Sequence, residues 1–165
     1  MSEYADALFD LRVRDLSHQD VGHVIIAHAL VDQMLGTLIL AYLPKEVSED
    51  DANTLLSYRG PFGSLRAKTT FASSLGLIGD ETRRDLKGIN AVRNTFAHPN
   101  GRLSFASPEV AAVFEQHGPA TEDEPQALDD RQAFFNDRVD RAAKAMKATF
   151  DSLLYAQSVG DNEEA

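Results

Sequence analysis

Arg93, Asn94 and His98 carry the chemistry this chain can offer, in the run Arg93-Asn94-Thr95-Phe96-Ala97-His98 that Pro99 closes. A guanidinium clamps phosphate or carboxylate with paired donors, an amide orients a hydroxyl, and an imidazole moves a proton near neutral pH. Together they could run a metal-free transesterification of RNA. His98 would take the proton of a ribose 2′-hydroxyl, Arg93 would stabilise charge building on the phosphorus oxygens, and Asn94 would position the hydroxyl or the ring. The competing use is structural. Arg93 then pairs with Asp32 or another buried acid, Asn94 satisfies a loop carbonyl, and His98 caps the last carbonyls, where a cation is favoured by the helix dipole.

The element beneath these residues is a helix. Leu86, Ile89, Val92 and Phe96 form an apolar face at steps of three and four, Asp80 is placed to cap the start, and Pro99 disfavours helical geometry at His98. Successive helical residues turn by about 100°, so Arg93 and His98 point roughly 140° apart while Asn94 and His98 share a flank. Arg93 and His98 meet on one small phosphate only if the helix end unwinds, or if a symmetric second copy contributes its own flank.

The rest of the chain reads as helix almost throughout. Residues 3–16 form an amphipathic helix with Leu8, Leu11 and Val13 inward, and Ser17 caps a long apolar helix that Pro44 ends. Ser48 with Asp51 resembles a capping box opening a short helix through Leu56. Gly60-Pro61-Phe62-Gly63 is a sharp turn, and Ser64 caps the helix that carries Phe71, Leu75 and Ile78. After Pro99 the alternation of Leu103 and Phe105 with polar neighbours predicts a short extended segment over 100–107. Ser107-Pro108-Glu109 then starts a helix to Gln116. Gly118 to Pro125 is an exposed loop, and a final helix from Asp129 to Gln157 carries the stripe Phe135, Val139, Ala142, Met146, Phe150 and Leu153. The expectation is an all-α, single-domain bundle of six to seven helices over residues 1–160, with a disordered tail at 161–165.

Composition narrows the function classes. The chain has no cysteine, so neither disulfides nor thiolate metal sites are possible, and its acidic start lacks a secretory layout. The longest apolar run, Val21 to Leu43, is broken by His23, His28, Asp32 and Gln33, which favours a buried core helix over a membrane span. A cytoplasmic protein is expected. The net charge of -10 argues against general adhesion to nucleic acid. Yet Arg59, Arg66, Lys68, Arg83, Arg84, Lys87, Arg93 and Arg102 face only three acids between residues 59 and 102, a local +5 (8 minus 3). Those bases either build a positive surface near Arg93 or pair with the surplus carboxylates.

Other candidates are weaker. His28 and Asp32, four apart, suit a satisfied polar pair in the bundle better than a metal site, since no Glu-x-x-His or His-x-x-x-His set accompanies them. The Gly60–Gly63 turn with Lys68 lacks phosphate-loop spacing, and Ser73 and Ser74 sit in no nucleophile elbow. No metal and no cofactor is expected.

Three stretches carry a family resemblance: Gly60-Pro61-Phe62-Gly63-Ser64-Leu65, Leu75-Gly76-Leu77-Ile78, and the Arg93–His98 run with Phe105 and Glu109-Val110. In order and spacing they resemble the mannitol operon repressor family, across roughly residues 20–115. That resemblance implies a compact helical protein, often dimeric, linked to transcription regulation without a recognisable DNA-reading helix pair. The Arg-Asn-x-x-x-His run also resembles the signature of HEPN domains, helical proteins that include endoribonuclease toxins and many inactive members. It carries over only Arg93, Asn94 and His98, and Asn100 stands where HEPN members commonly have tyrosine.

Two function classes follow. The first is a regulatory interaction protein, acidic and without a separate basic reading helix, acting through protein contacts rather than direct DNA reading, as a homodimer with an unidentified protein partner. The second is a metal-independent endoribonuclease using Arg93, Asn94 and His98, with Arg59, Arg66, Lys68 and Arg102 as anion or RNA contacts.

Overall fold

The computed structural model describes residues 20–43, 47–97, 103–117 and 131–163. Six α-helices are present among them: α1 (Asp20–Tyr42), α2 (Glu49–Leu56), α3 (Leu65–Ser74), α4 (Asp80–Phe96), α5 (Pro108–Gln116) and α6 (Arg131–Glu163). The expected helix at 3–16, Ser17, Pro44, His98, Arg102 and the Gly118–Pro125 loop lie outside the described residues. The all-α bundle is as the sequence predicts, and no strand occurs among the described residues.

Three helices make the frame. His23 on α1 meets Asn136 on α6, and Gln157 of α6 reaches the Ala41 carbonyl, so α1 and α6 run parallel. Glu81 and Asp85 of α4 meet Arg141, and Gly88 lies against Arg138, so α4 runs antiparallel to α6. Between them lie Val24, Val31, Leu35, Leu38, Leu86, Ile89, Val92, Phe135, Ala142 and Met146, all buried. Each large aliphatic or aromatic side chain sealed in this way contributes about 1.5–3 kcal/mol of burial. That burial, rather than propensity, holds the long helices together.

Helix boundaries follow local chemistry. The Ser48 hydroxyl accepts from the Asp51 amide at 3.1 Å and donates to the Asp51 carboxylate at 2.7 Å, a capping interaction of the kind predicted. Ser64 caps α3 through the Ala67 amide. Between those helices Gly60 and Gly63 sit so close to the carbonyls of Thr54, Leu55, Ser57 and Tyr58 that a Cβ at either would collide with backbone. The amide of Phe62 donates to the Leu55 carbonyl there, fixing the turn that launches α3.

Other boundaries differ from expectation. Gly79, not Asp80, is the N-cap of α4, and Asp80 is already the first helical residue. Ser107 caps α5 in position but not by side chain: its hydroxyl accepts instead from the Ser104 amide at 2.9 Å. The same Ser104–Ser107 closure, with the Ser107 amide on the Ser104 carbonyl, makes residues 104–107 a turn rather than the extended segment predicted. A turn wins because it drives Phe105 into the core, where it meets the rings of Phe96, Phe114, Phe135 and His23. The aspartate at the start of α1 completes the lock, Asp20 accepting from the Phe105 amide at 2.9 Å. Finally α6 continues helical to Glu163, six residues past the predicted end.

Candidate functional site

Arg93 and Asn94 occupy the last turn of α4. Arg93 is half-buried and Asn94 exposed, and the Arg93 guanidinium donates to the Asn94 amide oxygen at 3.3 Å. No described carboxylate lies within salt-bridge distance of Arg93. The acid that could have neutralised it, Asp32, is taken by Lys68 at 2.6 Å. The structure therefore places Arg93 against a neutral amide at a surface, without an ion pair among the described residues.

Asn90 ties this surface to α1. It stands three residues before Arg93 and four before Asn94, and so shares a flank of α4 with both. Its amide oxygen meets His28 Nε2 at 3.2 Å. With a carbonyl oxygen facing the ring, Nε2 carries the proton and Nδ1 keeps its lone pair. The predicted His28–Asp32 pair is thus replaced by two cross-helix contacts, His28 to Asn90 and Asp32 to Lys68. Each partner found a group on a facing helix rather than its own neighbour four residues away.

The electrostatics favour a neutral imidazole. Burial pushes the His28 pKa below the usual histidine value; the Asn90 bond and Asp32 oppose that shift, and the positive charges of Arg93 and Lys68 reinforce it. The result is a seam between α1 and α4 holding a guanidinium, two amides and an uncharged imidazole. Asp32 keeps one carboxylate oxygen buried without a hydrogen bond. Sequence reasoning missed Asn90 and the tie to His28. The available signal was polar residues on the flanks of two apolar helices, but which flank faces which is a tertiary fact.

The other predicted contacts scatter. Arg59 is exposed in the turn after α2, and Arg66 is exposed on α3. Lys68 is buried in its pair with Asp32, and so is not presented to an incoming anion. Arg84 and Lys87 are exposed on α4, and Arg83 is half-buried. Among the described residues, Lys68 is the one member of the central basic group in a salt bridge. No other member of the group pairs with a described acid. No group of three or more metal-ligating side chains occurs among the described residues.

A second polar network lies on the far side of α4. Asp85 is fully buried and receives both a two-pronged contact from Arg141, at 3.0 and 3.1 Å, and the Arg138 guanidinium at 3.7 Å. Arg138 also donates to the His117 carbonyl and stacks 4.6 Å over Phe134. Gly88 leaves the room this guanidinium fills. Burial pushes the His117 pKa down, with Arg138 and Lys87 adding to the effect.

Neither a protein-family model nor a curated protein sequence matches the chain. A solved structure does: a chain of the X-ray structure of the MtlR-HPr complex from Escherichia coli is similar, with a TM-score of 0.54 and 18% identity over 92% of this chain and 94% of that one. The likeness is one of fold. It spans nearly the whole of both chains, so it concerns the bundle and not one helix pair.

Proposed function

We propose that this chain is a regulatory interaction protein of the mannitol-repressor type, acting by docking another protein at the seam of α1 and α4. The observation that carries this reading is the Arg93 guanidinium: half-exposed, and bonded to the neutral amide of Asn94. An arginine held that way is the kind of side chain that anchors protein interfaces. The fold likeness to a chain crystallised in an MtlR-HPr complex supports docking of a protein partner. The net charge of -10 supports action through protein contacts rather than direct DNA reading. Calorimetric titration with purified HPr is the test. Binding that weakens at least tenfold in Arg93→Ala supports the reading, since an anchor arginine is worth on the order of 2 kcal/mol or more. Equal affinity of wild type and variant contradicts it.

One observation favours a second reading, a metal-independent endoribonuclease. His28 is an uncharged imidazole within electrostatic reach of Arg93, with a free lone pair on Nδ1 if Nε2 serves Asn90. An imidazole to serve as base and a guanidinium to meet the phosphate support this reading, and His98 follows α4 in sequence. Incubation with RNA in chelator, beside Arg93→Ala, His98→Ala and His28→Ala, tests it. Cleavage by wild type that Arg93→Ala abolishes supports the nuclease; intact RNA throughout removes it.

A further inference from the structure

The turn from Ser57 to Gly63, between α2 and α3, is closed on itself within a stretch described without a break from residue 47 to 97. The Gly60 amide donates to the Ser57 carbonyl, the Phe62 amide to Leu55 and the Gly63 amide to Gly60. The Phe62 ring packs 4.7 Å from Phe71 and anchors the turn to α3. On this fixed backbone Tyr58 stands 93% exposed, with Arg59 and Pro61 exposed beside it. A tyrosine has only two side-chain torsions to order on binding, and its backbone here is already set. Tyrosine and arginine are the side chains that most often dominate the energy of protein interfaces.

Charge says what kind of partner fits. The chain as a whole carries -10, yet from Ala52 to Gly79 it has no Asp or Glu. Of the three bases in that stretch, Lys68 is neutralised by Asp32, while Arg59 and Arg66 are exposed and pair with no described carboxylate. Arg66 stands in the first turn of α3, where the helix dipole disfavours a cation and no acid offsets it. Gly63 lies against the Tyr58 carbonyl, so that first turn begins beside Tyr58. The acids of α2, Glu49 to Asp51, sit at its other end, roughly 10 Å back along the helix. Charges beyond about 8 Å are largely screened at physiological salt, so a chain arriving here meets the two guanidiniums first.

We propose that this turn is a separate docking site for an acidic segment of another protein. Tyr58 packs on the aliphatic stems of that segment, and Arg59 and Arg66 take its carboxylates as charge-assisted pairs. A nucleic acid fits less well, because its charge continues past the turn onto an acidic protein. The site is independent of docking at the α1–α4 seam, which rests on Arg93.

The chain has no tryptophan, so Tyr58→Trp in the full chain puts a single reporter in the turn. Its fluorescence in the free protein should be that of an indole in water. Titration with a short capped peptide alternating glutamate and alanine should shift that emission to the blue and saturate. Replacing Arg59 and Arg66 together with Ala should weaken the response about tenfold or more, with an unchanged circular dichroism spectrum. Arg84→Ala, which removes the same charge from exposed α4, should leave it intact. Anisotropy of the labelled peptide should show a similar loss for Tyr58→Ala in the otherwise native chain. The lysine–alanine counterpart and a short oligouridylate should give no saturable shift. A buried-indole spectrum in the free protein, no saturable response to the acidic peptide, or a response indifferent to losing both arginines would each overturn the proposal. So would equal binding of the oligouridylate, which would make the turn a nucleic-acid contact.

Discussion

Arg138 and Arg93 are the same functional group in opposite circumstances on the two sides of α4. Arg138 is 2% exposed, faces the buried Asp85, serves the His117 carbonyl and stacks on Phe134. Arg93 is half-exposed and meets a neutral amide. A buried guanidinium must be neutralised and hydrogen-bonded, because desolvating it is expensive. One at a surface has no such requirement, and Arg93 makes no ion pair among the described residues. The comparison teaches which arginine belongs to the architecture and which the described bundle leaves at its surface.

The largest expected effect breaks the buried side. Replacing Asp85 with Ala leaves Arg138 and Arg141 without their shared carboxylate, and removing one partner of a buried pair costs about 3–5 kcal/mol. Chemical denaturation should show a loss of that size; a loss below about 1 kcal/mol would mean that the network is better solvated than its burial indicates. Next comes Phe105→Ala, which empties the meeting point of five rings and should cost about 3–5 kcal/mol by the same measurement. Gly88→Ala should cost about 1–3 kcal/mol, because the new methyl overlaps a guanidinium that cannot move out of its network. Arg93→Ala should change stability by less than about 1 kcal/mol. That pairing of a costly Asp85 change with a nearly neutral Arg93 change is the comparison in its sharpest form.

The smallest effect is a pH dependence at the seam. The folded His28 pKa lies below the usual value, so below about pH 6.5 the unfolded chain takes up protons that the folded chain refuses. Stability contributed by the neutral ring is present above that pH and is lost as the pH falls toward the folded value. Thermal melts from pH 7 to 5 should therefore show a shallower decline in His28→Gln than in wild type. The difference is partial, since His117 is shifted in the same direction and remains. Identical slopes would place His28 in open solvent.

What was legible in the sequence was what depends on neighbours along the chain. The apolar stripe of α4, the Ser48 and Ser64 caps and the turn at Gly60–Gly63 all follow from residue types at short spacings. Less legible was anything decided across helices. Leu103 and Phe105 alternate as in a strand, but the pull of four rings on Phe105 bends the segment into a turn. His28 and Asp32 have the spacing of a pair, yet Asn90 and Lys68 approach from facing helices and separate them. Likewise nothing in local spacing links Asp85 with Arg138 and Arg141; only the packing of α4 against α6 makes them an interior network. The placing of Arg93 and Asn94 at the end of a helix was legible; their bond to each other, and the His28–Asn90 bond on the same flank, was not.

The account stands or falls on Arg93 being a binding group that the fold can do without. The most direct measurement is a pair of titrations, wild type and Arg93→Ala against purified HPr, run on samples whose melting temperatures are compared first. The account predicts melting temperatures within a few degrees of each other and an affinity at least tenfold weaker in the variant. A variant that binds as tightly as wild type, or one that unfolds many degrees earlier, would contradict it.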